Sequence, residues 1–533
     1  MSGLGRASVL LGAGTMVSRV SGLIRTIVLV GVIGSIASPA ADAFALANQL
    51  PNNVYAIISA GVLTAVIVPQ IVRESARSDG GQRFISALFT AGVVVLLAVT
   101  AVVTLAAPLL ISLYADNFTP EQQALATAFA YWCLPQIFFY GLYSLLGETL
   151  NARRIFGPFT WAPVVNNVVS IAGFLAIAFV FGSDLTRVDD WTPGMVALLG
   201  GTATIGIAVQ ALILLVFWRR TGLHLRPDFR WRGLGFRNMG RLAGWTAAMV
   251  VVGQIAGLVQ TRVVADASGV GASVAATGNA WLIFMLPYSV IVLSIGTPYF
   301  TQISEHASAG RDSDVRTDVA RSIRIISLFI VIAAAAIAVA AVPASRIFTN
   351  SEADAVAAAP VLLAYLVSLL PLSVLFIVQR TFYAYDDTRT PFVFTAIQGV
   401  LVVVTAVVAG WILPNTWLAA GVALGQSLAI TVQVLLATWL LRRRLGRLGI
   451  ASWITAIVRY VIAAVPAAAA GWGVYLLLGG DDGWTTTDKI FGALGTGIIG
   501  LTSLVAYFAV LAALRTPELA PALGMLRRIL PGR

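Results

Sequence analysis

The chain has 533 residues, 59% of them hydrophobic and only 11% charged, with a formal net charge of +11. Apolar runs longer than the roughly 20 residues that cross a bilayer core recur along it, and the segments between them are too short for a separate soluble domain. A single cysteine, Cys133, excludes an internal disulfide and a cysteine-based metal cluster; the histidines, His224 and His306, fall in predicted loops, so neither a metal site nor a catalytic centre is expected.

The first predicted span covers residues 8–35 and carries no short apolar core ending in a small-residue cleavage site, so it is expected to be retained. It contains "MVSRVSGLIRTIVLVG", which puts Arg19 and Arg25 at membrane depth. An arginine at the centre of a spanning helix costs about 2.5–3.5 kcal/mol, so two of them require a partner or a task. Six positions apart, they are turned about 120° from each other on an ideal helix. They cannot share a narrow stripe, but both can line a broad cavity. Gly14, Ser18, Ser21 and Gly22 beside them allow close approach.

Span 2, at 44–71, follows Asp42 at its outer mouth and contains Pro51; spans 3 to 6 follow at 84–113, 124–150, 159–182 and 194–218. A basic segment from Arg219 to Arg241, with Trp231 and Phe236 among its arginines, is suited to lie along the membrane surface. Eight more spans follow, at 243–265, 276–302, 325–348, 357–383, 391–413, 417–441, 453–478 and 490–513. The sequence thus predicts an all-α polytopic membrane protein of fourteen helices.

Lysine and arginine crowd alternate loops. "RESARSDGGQR", "NARRIFG" and "RRRLGRLG" are on one side, while "YADNFTPEQ", "TNSEADA" and "GGDDGWTTTD" are on the other. The positive-inside rule places both termini in the cytoplasm. The clusters read as topogenic and lipid-headgroup contacts rather than a nucleic-acid surface.

Two proline landmarks recur at one interval. "QLPNNVYAIISAG" and "MLPYSVIVLSIG" place Pro51 and Pro287 236 positions apart, and "CLPQIFFYGLYS" and "LLPLSVLFIVQR" do the same for Pro135 and Pro371. The chain therefore reads as an N-terminal lobe at 1–241, a C-terminal lobe at 242–450, and two extra helices with a short tail at 451–533. Repeated six-helix halves with proline-broken helices are an alternating-access architecture, with its site near the midplane.

Buried carboxylates, which a cation exporter needs, are nearly absent: Asp42, Glu148 and Asp266 all lie near span ends. The deep fixed charges are Arg19 and Arg25, so the expected cargo is an anion, and phosphate suits the guanidinium fork. Arg262 is expected to pair locally with Asp266, and Arg380 and Arg459 to snorkel to the inner surface. Among intramembrane amides, Asn166, Asn167, Gln254 and Gln398 rank below the arginines as ligand contacts.

"SRVSGLIR", "DAFALANQLPN", "VPQIVRE", "LNARRIFGPFTWAPVVNN" and "FYAYDDTRTPF" together resemble the MurJ (MviN) family of lipid II flippases, in the multidrug/oligosaccharidyl-lipid/polysaccharide exporter superfamily. The resemblance covers essentially the whole chain. It implies a role in peptidoglycan and cell-wall biogenesis at the bacterial cytoplasmic membrane. The cargo it implies is undecaprenyl pyrophosphate bearing the disaccharide-peptide, and helices 13 and 14 would form a lipid-tail groove. It matches Arg19 and Arg25 to the family's helix 1 arginines and Asp42 to its acidic residue opening helix 2, with Ser18 beside the arginines. Arg262, Gln254 and Asn166 are further cavity candidates.

The chain departs from the family at Tyr55 and Ala60 in helix 2 and at Leu282 and Met285 before Pro287, where many members carry charge. No cofactor is expected, only coupling to the membrane potential or a monovalent cation. The expected partners are lipid II, membrane lipids, and cell-wall synthesis and division proteins. A flippase for another prenyl-linked glycan is the alternative within the class. A polyprenyl-lipid enzyme would need clustered acid, base or metal-ligand residues, and a scaffold would leave the arginines without a task. No G-x-x-x-x-G-K-[ST] loop is present for direct ATP use.

Overall fold

Hydrocarbon offers backbone N–H and C=O groups no partner, so apolar runs of this length satisfy themselves as helices. The computed structural model describes residues 3–59, 81–153, 155, 157–229 and 236–519, with the side chains of 3–12 and 236–243 excepted. Every element among the described residues is a helix, and 13 helical segments are long and apolar enough to cross a membrane. They correspond to all the predicted spans but the second, whose residues 60–71, Ala60 included, lie outside the described residues. Large apolar side chains are exposed along these helices, up to 92% for Phe179, as a lipid-facing surface requires.

By internal contacts the chain divides into Met1–Gly269 and Val270–Arg533. The first unit holds α1 (Gly3–Ile33), α2 (Pro39–Ile58), α3 (Gln82–Leu105), α4 (Ala107–Tyr114), α5 (Pro120–Cys133), α6 (Gln136–Ala152), α7 (Gly157–Phe181), α8 (Pro193–Trp218) and α9 (Phe236–Ala265). The second holds α10 (Val274–Pro287), α11 (Leu293–Ser308), α12 (Asp312–Val339), α13 (Ala341–Arg346), α14 (Glu352–Leu366), α15 (Leu369–Ala384), α16 (Arg389–Ile412), α17 (Asn415–Leu445), α18 (Ile450–Leu477), α19 (Trp484–Thr487) and α20 (Lys489–Ala513). The boundary drawn from the repeat, at 241, falls in the first turns of α9. The contact boundary follows it, because α9 packs on α2 and α4.

Local chemistry sets the helix starts. Ser38, Thr119 and Thr192 each accept a hydrogen bond from an N–H of the first turn, and each is followed by a proline whose missing N–H costs nothing there. Asp488 caps α20 by accepting from the Ile490 N–H at 2.8 Å.

The two units repeat one packing scheme. In the first, α7 packs on α8, α6 on α8, α2 on α5 and α6, and α3 on α6; in the second, α16 packs on α17, α15 on α17, α10 on α14, α11 on α15, and α12 on α15. Helix breaks recur as well. Pro135 separates α5 from α6, and α14 ends at Leu366 with its cap at Val367, whose carbonyl the ring of Pro371 would strike in a continuous helix. A third correspondence lies at Ala106 (φ −83°, ψ 8°) between α3 and α4, and at Ala340 (φ −90°, ψ 18°) between α12 and α13. Pro108 and Pro343 follow these breaks and cause them by the same clash. Pro287 leads into a π-helical turn, Tyr288–Val292.

His306 lies in the last turn of α11 rather than in a loop, because that helix extends past its apolar stretch; its Nδ1 is 2.8 Å from Asp318 Oδ2 on α12.

The hairpin of α18 and α20 packs against α12 in the second unit. Gly471 lets Ser503 approach so closely that a Cβ there would lie 2.2 Å from its Oγ, and the Tyr507 hydroxyl donates to the Leu328 carbonyl at 2.9 Å. Arg346, 6% exposed, ties α19, the short helix before α20, in place. Its Nε donates to the Thr486 carbonyl at 2.6 Å, Nη1 to Thr349 at 2.6 Å and Nη2 to Thr487 at 2.8 Å. Arg346→Met leaves these buried carbonyls without their donor and is expected to cost about 3 kcal/mol. The readouts are a lower thermal unfolding midpoint in detergent and faster amide exchange around residues 484–489.

Candidate functional site

Small residues let α1 lie close against α7. A Cβ on Gly14 would sit 2.8 Å from Trp161 Nε1, and one on Gly22 3.6 Å from Asn167 Nδ2. Asn167 donates to the Ser18 carbonyl at 3.0 Å and to Ser21 Oγ at 2.8 Å, which fixes the rotation of α1 at the level of the arginines. At about 100° per residue, Arg25 continues the face that packs on α7, whereas Arg19 is turned about 120° away. Both side chains are half-buried, as is Ser18.

Arg25 lies within electrostatic reach of the Tyr140 phenol on α6. That phenol donates to Gln136 Oε1 at 3.4 Å, and Gln136, 1% exposed, donates through Nε2 to Asn48 Oδ1 at 3.2 Å and to Thr204 Oγ1 at 3.1 Å. Tyr55 stacks on Tyr140 with ring centroids 5.7 Å apart, hydrogen-bonds Ser144 and lies within electrostatic reach of Glu148. Where many family members carry a basic residue, this chain therefore carries an aromatic surface one ring away from the residue facing Arg25. Sequence reading missed Gln136 and Tyr140. Their only signal was an i, i+4 polar pair directly after Pro135.

A second polar group lies at the end of the first unit where α2 begins. Asp42, 1% exposed, accepts from Ser268 Oγ at 2.6 Å; Gln122 Nε2 donates to the same Oγ at 2.9 Å and to the Pro39 carbonyl at 3.0 Å. Arg262 Nη2 pairs with Asp116 Oδ2 at 2.7 Å, and Asp266 accepts from Asn117. The ion pair thus runs between α9 and the loop after α4, where the sequence suggested a partner one turn away. The loop carrying Asp116 and Asn117 reaches both ends of that turn.

Arg19, Arg25 and Ser18 thus share one stretch of α1, whereas Asp42 lies beyond the C-terminal end of that helix. Asn166, 6% exposed, faces α8: it accepts from Ser170 at 3.3 Å, and a Cβ on Gly206 would lie 2.3 Å from its Oδ1. Gln254 is half-buried on α9.

Two repeated units of proline-broken membrane helices define a class of membrane protein, and solved structures share the fold. An inward-facing multidrug resistance MATE family transporter of the MOP superfamily aligns at a TM-score of 0.65 with 18% identity, covering 83% of this chain and 99% of that one. "Lipid II flippase MurJ, inward closed conformation" aligns at 0.73 with 19% identity, covering 95% and 99%. The family model "Lipid II flippase MurJ" matches residues 33–480, so the chain belongs to the MurJ family. Its relatives include a probable lipid II flippase MurJ of Rhizobium meliloti (strain 1021), 28% identical over 479 residues that make up 86% of this chain and 84% of the relative. Another, of Haemophilus influenzae, is 27% identical over 408 residues, 71% of this chain and 75% of the relative.

Asn167→Ala removes both bonds that set the rotation of α1 while leaving each guanidinium in place. Losing about 1 kcal/mol of positioning corresponds to roughly five-fold weaker activity. The check is growth rescue of a flippase-depleted bacterium titrated by expression level, in which the variant should need correspondingly more protein.

Proposed function

We propose that this chain flips lipid II, the undecaprenyl-pyrophosphate-linked disaccharide-peptide, from the cytoplasmic to the outer leaflet by alternating access. The observation that carries the reading is a pair of guanidiniums, Arg19 and Arg25, on a membrane helix of a chain belonging to the MurJ family. Their planar forks take the pyrophosphate from the cytoplasmic side, with Ser18 beside them, and the prenyl tail stays in lipid. Asp42, at the outer end, disfavours a bound anion there and so favours release.

The chain acts as a transporter rather than an enzyme, in the bacterial cytoplasmic membrane, with both termini in the cytoplasm. Moving an anion outward against an inside-negative interior is downhill by about 2.3 kcal/mol per charge per 100 mV. The membrane potential, or a monovalent cation gradient, therefore supplies the coupling without a bound cofactor. Cell-wall synthesis and division proteins are the partners this role requires.

The test is complementation in a bacterium depleted of its own lipid II flippase, at matched membrane levels. The wild-type chain should restore growth. Arg19→Ala and Arg25→Ala should each abolish rescue, and Arg25→Lys, which keeps charge without the fork, should restore it only in part. Equal rescue by all variants would sink the pyrophosphate-binding role of α1. Failure of a well-folded wild-type chain would favour another prenyl-linked glycan as cargo.

A further inference from the structure

The second unit carries a guanidinium of its own within a membrane helix. Arg380 lies on α15, more than a turn before its end at Ala384, and the sequence alone suggested that it snorkels to the inner surface. The structure instead holds its head among rings. The guanidinium carbon is 5.1 Å from the ring centre of Phe300 on α11, 5.3 Å from Phe376 and 6.0 Å from Tyr383, both on α15.

The cage is built rather than incidental. Gly296 leaves room for Phe376, since a Cβ there would lie 2.5 Å from the ring. Gln379 donates to the Tyr383 hydroxyl at 2.7 Å and so orients that ring. Tyr288, on the π-helical turn after Pro287, meets Phe376 edge-on at 6.4 Å, and its phenol lies within electrostatic reach of Arg380. Single π-helical turns of this kind occur frequently at functional sites.

Aromatic faces stabilise the cation but accept few hydrogen bonds from the in-plane N–H groups. Among the described residues no carboxylate pairs with Arg380 and no acceptor takes its N–H groups, while the side chain is only half-buried. A guanidinium set over aromatic rings, whose N–H groups no described acceptor takes, suits an anion that can accept two of them at once. The repeat adds a second line of support. Displaced by 236 positions, Phe376 corresponds to Tyr140, which faces Arg25, and Arg380 corresponds to Ser144, which hydrogen-bonds Tyr55. Each unit thus presents a guanidinium beside the same aromatic position of its proline-broken helix.

We propose that Arg380 is an anion-binding residue of the second unit, which takes a phosphate of the prenyl-linked headgroup while Phe300, Phe376 and Tyr383 hold the guanidinium in place. The proposal rests on the flippase reading and deepens it, by assigning a phosphate contact outside α1. Its chemistry is that of any phosphate ester, so the test must separate the cargo from bulk phospholipid.

The experiment measures binding of undecaprenyl pyrophosphate, undecaprenol and phosphatidylglycerol to the purified full chain by native mass spectrometry, with the thermal midpoint recorded for each variant. Arg380→Gln should weaken undecaprenyl pyrophosphate at least ten-fold and leave undecaprenol and phosphatidylglycerol unchanged. Arg380→Lys, which keeps the charge but not the fork, should fall between it and wild type, and it decides the matter if the glutamine variant does not fold. Unchanged pyrophosphate binding in a folded variant overturns the proposal, and so does an equal loss for phosphatidylglycerol. A wild-type chain that does not distinguish undecaprenyl pyrophosphate from undecaprenol overturns the flippase reading as well.

Discussion

Hydrocarbon cannot hydrogen-bond, and the helices described in this chain are arranged around that fact. The spans are helices because no other open element closes its own polar groups. At Pro108, Pro135, Pro343 and Pro371 the helix breaks at a defined residue, whereas Pro163, Pro298, Pro360 and Pro466 are carried inside continuous helices. The breaks at Ala106 and Ala340, and those before Pro135 and Pro371, divide corresponding helices of the two units into the same two pieces. A broken helix leaves polar backbone at depth, which the protein can offer to a ligand as an unbroken one cannot.

The arginines within and beside the membrane answer the same constraint in different ways. Arg346 gives its three donor nitrogens to backbone carbonyls and acts as a structural clamp on the C-terminal hairpin. Arg262 meets a carboxylate, Asp116, in an exposed ion pair of the kind that contributes little stability. Arg25 and Arg380 instead lie beside aromatic side chains, Tyr140 for the first and Phe300, Phe376 and Tyr383 for the second. The distinction separates guanidiniums held by carbonyls or a carboxylate from those beside aromatic rings, of which Arg380 has no acceptor for its N–H groups among the described residues.

Tyr55 shows how a departure from the family pattern is absorbed. Its ring stacks on Tyr140 and its hydroxyl meets Ser144, so the position supports the residue facing Arg25 in place of adding charge. The start of α2 follows a different logic. Asp42, Ser268 and Gln122 form a buried polar chain that joins α2, α5 and the end of α9. It explains why α9 belongs by contacts to the first unit although the repeat assigns it to the second half of the sequence.

The sequence by itself determined the apolar solvent, thirteen of the fourteen expected spans with their approximate bounds, the repeat marked by Pro51, Pro135, Pro287 and Pro371, and the position of Arg19 and Arg25 within the first span. These follow from composition and from steric rules that act within a few residues, so they can be read along one dimension. Tertiary structure alone decided that Arg262 meets Asp116, that Asn167 fixes the rotation of α1, that Gln136 links α2, α6 and α8, and that Arg380 sits in an aromatic cage rather than at the surface. Each of these joins residues from different helices, often far apart in the chain. A side chain's partner in a membrane protein is set by helix rotation and packing, and no local pattern of residues encodes those.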